Sequence, residues 1–92
     1  MALLEDNEID RRLEGREWRR EGNEIVRDLQ FEDFAAAMAF VNRVADAAEA
    51  ANHHPDILVH GWNRVRLAVT NHAQGGLTDA DFALADRIDG LV

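Results

Sequence analysis

The sequence contains no cysteine, no serine and no lysine, and its only proline is Pro55. Without cysteine there is no disulfide to offset a small core. Without serine as well, triad-type acyl transfer lacks its ordinary nucleophile, and threonine occurs only at Thr70 and Thr78. The absence of lysine removes Schiff-base chemistry and the lysine of a phosphate-binding loop. No apolar run approaches the ~20 residues that span a bilayer, so no membrane partner is expected. The opening Met-Ala-Leu-Leu-Glu-Asp lacks a positive region followed by a long apolar stretch, and a cytoplasmic location is the expectation. All ten basic residues are arginines, and against eighteen acidic ones they leave a net charge of −8. That charge repels phosphate backbones, so nucleic acid is not an expected partner.

Ninety-two residues without a linker-like or repetitive stretch read as one domain over 1–92. Folding a chain of this size removes roughly 60–68% of its unfolded surface from water, which makes burial between subunits a reasonable expectation.

Polar residues from Asp6 to Glu14 are interrupted by Ile9 and Leu13 at i,i+4, predicting a short helix that Gly15 could end. Trp18 to Arg20 and Ile25 to Phe31 flank a Gly22-Asn23 turn, predicting a hairpin, with Arg27 intruding on the Ile25, Leu29, Phe31 face. From Phe34 to Ala51 the period lengthens to three or four. Phe34, Met38, Val41, Ala45 and Ala48 form the predicted apolar stripe, with Ala37, Phe40 and Val44 beside them. Asp33 is placed to cap this helix and Asn52 to end it, while Pro55 disfavours helical geometry at His54. Ile57 to Val59 and Val65 to Val69 predict a second hairpin turning at Gly61 and Asn63. Thr78 and Asp81 resemble a capping box opening a final helix with Phe82, Ala85 and Ile88 in its core stripe, ending near Gly90. The expected fold is α+β, in the order α-β-β-α-β-β-α: a four-stranded antiparallel sheet with helices on one face.

Four histidines supply the only side chains that titrate near neutral pH without perturbation. His53 and His54 follow the long helix, His72 lies in a loop before Gly75-Gly76, and His60 sits at the second hairpin turn. Helix-end and loop histidines are often merely solvated, but Asn52-His53-His54-Pro55 bends the chain where both rings could face one cleft. Glu49 stands at i,i+4 from His53 and could orient it. Zinc is not expected, because there is no cysteine and no His-x-x-x-His spacing on a predicted helix. Trp18 and Trp62 could stack on a flat heterocycle or simply pack. General acid–base catalysis by imidazole is the chemistry that survives these exclusions.

The string Asn52-His53-His54-Pro55-Asp56, with Thr70-Asn71-His72, Gly75-Gly76-Leu77-Thr78 and Asp81 downstream, resembles the signature of the pterin-4a-carbinolamine dehydratases. Trp18, Phe31-x-x-Phe34 and the alanine-rich helix extend the resemblance over roughly Leu13 to Ile88. It implies dehydration of a 4a-hydroxytetrahydropterin to quinonoid dihydropterin, which recycles the pterin used by aromatic amino acid hydroxylases. It implies no metal and no organic cofactor, and a homodimer or homotetramer. By matching motif positions, His53 and His54 become the candidate acid and base, and His72 the third catalytic imidazole, which binds the pterin and stabilises changing charge. Asn52, His53, His54, Thr70, Asn71, His72 and Ala73 match positions lining the pterin pocket.

The chain departs from the pattern in three places. The Pro55 to Val65 stretch is one residue longer than in many relatives, Trp62 replaces a usual tyrosine, and Asn71 replaces a small or hydroxyl residue. The extra residue is expected to be absorbed as a bulge that leaves His54 and His72 in place. Two other functions are carried as alternatives: a non-catalytic dimerisation or transcriptional coactivator-type binding module, and a metal-binding histidine protein.

Overall fold

The computed structural model describes residues 2–92. Its elements are α1 (Asp6–Leu13), β1 (Arg19–Glu21), β2 (Glu24–Gln30), α2 (Phe34–Ala51), β3 (Asp56–His60), β4 (Arg64–Val69) and α3 (Asp79–Asp89). The four strands form one antiparallel sheet in the order β1-β2-β4-β3. The α+β order matches the expectation, with boundaries shifted by a residue or two.

Alternation decides which side of the sheet carries the core. Ile25 and Leu29 of β2, Val65, Leu67 and Val69 of β4, and Val59 of β3 point to the helical side. There they meet Ala37, Phe40 and Val44 of α2 and Phe82, Ala85 and Ile88 of α3. The opposite side carries Asp28, Gln30, Arg64, Arg66, Leu58 and His60, and stays open. Arg27 breaks the alternation for an identifiable reason. It stands on the core side and its guanidinium reaches Asp89 at the end of α3, at 2.5 Å. Asp89 also accepts from the indole N–H of buried Trp18 at 2.8 Å, so one carboxylate ties the first hairpin to the last helix.

One sequence expectation is corrected along α2. The buried stripe is Ala37, Phe40, Val44, Ala47 and Ala48, whereas Phe34 is 54% exposed. The deep positions pair one large ring with several alanines, which lets the helix backbone approach the sheet; Phe34, in the first turn, lies to one side of that contact line. Asp33 caps the helix as expected, its side chain accepting from the Ala36 amide at 2.7 Å.

The second hairpin turns through Gly61, Trp62 and Asn63. Pairing runs unbroken from Asp56 opposite Ala68 to His60 opposite Arg64, with no bulge in either strand. Gly61 and Trp62 both take left-handed backbone, φ 54° and 58°, and the Trp62 side chain is left exposed. Asn63 anchors the turn by exchanging bonds with Phe31: its carbonyl accepts from the Phe31 amide at 2.8 Å and its side-chain amide donates back at 2.9 Å.

Exposed carboxylates are held by arginines. Hydrogen bonds from Arg11 and then Arg12 push the Glu8 carboxyl down to about 2. Arg19, followed by Arg66, holds Glu21 below the usual carboxylate range.

Candidate active site

The end of α2 decides where the two adjacent imidazoles go. Asn52 takes left-handed backbone, φ 49°, and its amide and that of His53 cap the last helical carbonyls of Ala48 and Glu49. The chain therefore leaves the helix before His53, and Pro55 keeps His54 out of helical geometry. The helical i,i+4 relation expected between Glu49 and His53 is never reached. Glu49 instead pairs with His54, Nε2 to Oε2 at 2.5 Å. His53 turns the other way, toward α3, where its Nε2 lies 2.6 Å from Asp81 Oδ1.

Asp81 is completely buried, yet every oxygen is engaged. Oδ1 faces His53, while Oδ2 accepts from the Thr78 amide at 2.7 Å and the Thr78 hydroxyl at 3.1 Å. A buried carboxylate is tolerable only when satisfied in this way. The capping box read in the sequence thus has a second use, which the sequence reading missed. Nothing local to Thr78-Asp79-Ala80-Asp81 points to a partner 28 residues away.

His72 comes from the loop that follows β4. After β4, Asn71 folds the chain into a tight loop: its carbonyl accepts from the Gln74, Gly75 and Gly76 amides, and its side chain from Gln74. Gly75 has φ 76°, a conformation that disfavours any side chain there. Thr70 secures the loop's base by donating from its hydroxyl to the Asn23 carbonyl at 2.5 Å. The Asn71 side chain thus adds one bond to the three that its backbone carbonyl makes.

The segments leave the sheet at one end. The β3/β4 ladder ends with Asp56 opposite Ala68 and the β2/β4 ladder with Ile25 opposite Val69, so His54 just before β3 and Thr70 just after β4 both lie at this end of the sheet. The three imidazoles nonetheless face different surroundings. His53, 16% exposed, borders a groove of about 280 Å³ with Ala51, Ala80, Ala83, Leu84 and Arg87. His54 is 56% exposed. His72 borders a recess of about 240 Å³ with Asn23, Glu24, Thr70, Asn71 and Gly75. Asn52 contributes its backbone turn, and Ala73 is exposed in the His72 loop. His60 closes β3 opposite Arg64, at the far end of the sheet. Among the described residues no three His, Cys, Asp or Glu side chains converge on a point suited to a metal ion.

The end of α2 thus presents two imidazoles, one held by a buried carboxylate and one beside an exposed carboxylate, a pair of groups of the kind general acid–base chemistry uses. The pterin 4 alpha carbinolamine dehydratase family model matches residues 2–91. The chain belongs to that family. Proteins provisionally named pterin-4-alpha-carbinolamine dehydratase from Chloroflexus aurantiacus and Acidobacterium capsulatum are 53% and 50% identical to it, over all of this chain and 99% and 100% of their own. Among solved structures, a transcriptional coactivator/pterin dehydratase from Brucella melitensis superposes with TM-score 0.91 at 27% identity, covering 98% of both chains. A pterin dehydratase-like RuBisCO assembly factor of the alpha-carboxysome shares the fold, with TM-score 0.64 over 80% of this chain and 84% of its own, at 24% identity.

Proposed function

We propose that this dehydratase-family chain converts 4a-hydroxytetrahydropterin to quinonoid dihydropterin in the cytoplasm, returning the pterin to a reductive cycle that serves aromatic amino acid hydroxylation. The observation that carries the reading is the pair of imidazoles at the α2 exit, one anchored on buried Asp81 and one within reach of Glu49. The reaction needs two proton transfers and nothing else. The lone pair of the ring nitrogen beside C4a expels the hydroxyl as the C4a–O bond breaks. One imidazolium protonates the departing oxygen, which leaves as water, and a neutral imidazole takes the proton from the iminium nitrogen. Atoms and charge balance without a cofactor.

His53 and His54 are the acid–base pair in this reading, and His72 meets the pterin from the β4 side. Asn52, Thr70, Asn71 and Ala73 shape the pocket, largely through backbone. Asp81 is a positioning residue for His53, because a carboxylate on Nε2 sets the orientation of the ring. A homodimer or homotetramer fits the open edge of β3, where Ile57 and Leu58 stay exposed.

Stopped-flow ultraviolet spectroscopy of freshly generated 4a-hydroxytetrahydropterin tests the reading. The protein should accelerate dehydration, and His54→Ala should remove at least 100-fold of that acceleration, the scale of a lost general acid or base. Full activity in that variant would exclude the assigned chemistry.

A second reading, a non-catalytic dimerisation or coactivator-type binding module, draws on the solved relative's description as a transcriptional coactivator. It predicts no acceleration by the wild-type protein, and partner binding indifferent to the histidines.

A further inference from the structure

One carboxylate beside the site has no assigned work. Glu24 opens β2, half-buried, and lines two adjoining recesses. One is the His72 recess; the other, of about 210 Å³, is formed with Asp56, Ile57, Leu58, Arg66 and Ala68 on the open face of the sheet. The β2/β4 ladder ends with Ile25 opposite Val69, and Thr70, the first residue after β4, lines the His72 recess together with Glu24. Glu24 therefore shares one recess with two residues of the candidate site, Thr70 and His72.

Its electrostatic situation sets it apart from Glu21, directly opposite on β1. Glu21 is engaged by both Arg19 and Arg66. That leaves Glu24 without a hydrogen-bond or ion-pair partner among the described residues, although Arg66 lines the same recess. A strand terminus has no need of this unpaired anion opposite another acid, where like charges disfavour pairing.

The chemistry of the proposed substrate supplies a partner. A pterin's pyrimidinone edge presents a ring N3–H and an exocyclic 2-amino group side by side: two donors in a plane, the pattern that a carboxylate accepts in parallel. We propose that Glu24 is a specificity-determining residue that receives this edge, holding the pterin so that its C4a carbon faces the histidines. The proposal rests on the dehydratase reading above and extends it to the distal end of the substrate. In a partly desolvated recess, a site built to pair with an amino group rejects an analogue lacking it far more strongly than an apolar pocket rejects a missing methylene.

Calorimetry with 6-methyl-7,8-dihydropterin and with its 2-desamino analogue tests this, alongside dehydration kinetics. The wild-type protein should bind the amino compound at least tenfold more tightly. Glu24→Gln should erase most of that preference and raise KM about tenfold or more while kcat changes far less, and Glu24→Asp should restore part of the preference. Thermal melts establish that the variants are folded. Absence of a preference in the wild-type protein overturns the proposal without recourse to any variant, as does an undiminished preference in folded Glu24→Gln. In both of those cases dehydration by the wild type would leave the dehydratase reading standing. Failure of the wild-type protein both to bind dihydropterin and to accelerate dehydration would overturn the two together.

Discussion

Two imidazole–carboxylate pairs lie within a few residues of each other and differ in almost everything except chemistry. His53–Asp81 joins α2 to α3, its carboxylate wholly buried and bonded three times; His54–Glu49 lies on the surface, its side chains 56% and 77% exposed. The difference teaches that burial, rather than the identity of the partners, sets what such a pair contributes. In the core, an acceptor that loses its donors cannot turn to water. On the surface, water replaces either partner at little cost. A proton-transfer site benefits from one of each: a ring held in fixed orientation and a ring free to exchange with substrate and solvent.

The comparison can be broken most forcefully at Asp81. Asp81→Ala leaves the Thr78 amide, the Thr78 hydroxyl and His53 without their shared acceptor, and should destabilise the protein by about 2–4 kcal/mol in urea unfolding. It should also slow dehydration by freeing the His53 ring. A finer measurement is a double-mutant cycle on each pair. Coupling between His53 and Asp81 should reach about 1–3 kcal/mol, whereas coupling between His54 and Glu49 should stay below about 0.5 kcal/mol. Equal values would contradict the burial argument.

The smallest effect belongs to Glu8, a surface carboxylate gripped by Arg11 and Arg12. Its pKa is lowered from the ordinary 4.5 to about 2. A depressed carboxylate adds stability above its unfolded value, and that increment fades as pH falls from about 4.5 toward 2. The melting temperature of the wild type should therefore exceed that of Glu8→Gln at pH 6 by a small margin that closes near pH 2. A margin that persists at pH 2 would point to packing by the Glu8 side chain in place of charge.

Much of this architecture was legible in the chain. Period-two runs announced β2 and β4, the alanine-rich run with Asp33 and Asn52 at its ends announced α2, and Thr78 and Asp81 announced α3, because caps and periodicity are local properties. The stripe on α2 was displaced, since a run of alanines and large residues offers several apolar faces and only the sheet selects Phe40 and Val44. Arg27 looked like a defect in a strand until Asp89, distant in sequence, gave it a partner. At the site, the histidines were legible from residue type and from the bend at Pro55. Their partners were not. The i,i+4 rule assigned Glu49 to His53, and the left-handed turn at Asn52 reassigned it to His54.

By itself, the sequence determined which chemistry was available. With no serine, cysteine or lysine, and with histidines gathered around a helix end and a glycine loop, imidazole proton transfer was the option left open. It also determined the order of elements, through patterns that each segment carries independently of its neighbours. The tertiary structure alone decided which groups meet: Asp81 with His53 between α2 and α3, and Arg27 with Asp89 between sheet and helix. Those pairings depend on how helices and sheet pack, which brings residues tens of positions apart within hydrogen-bond reach, and no local pattern of residues encodes a distance through space.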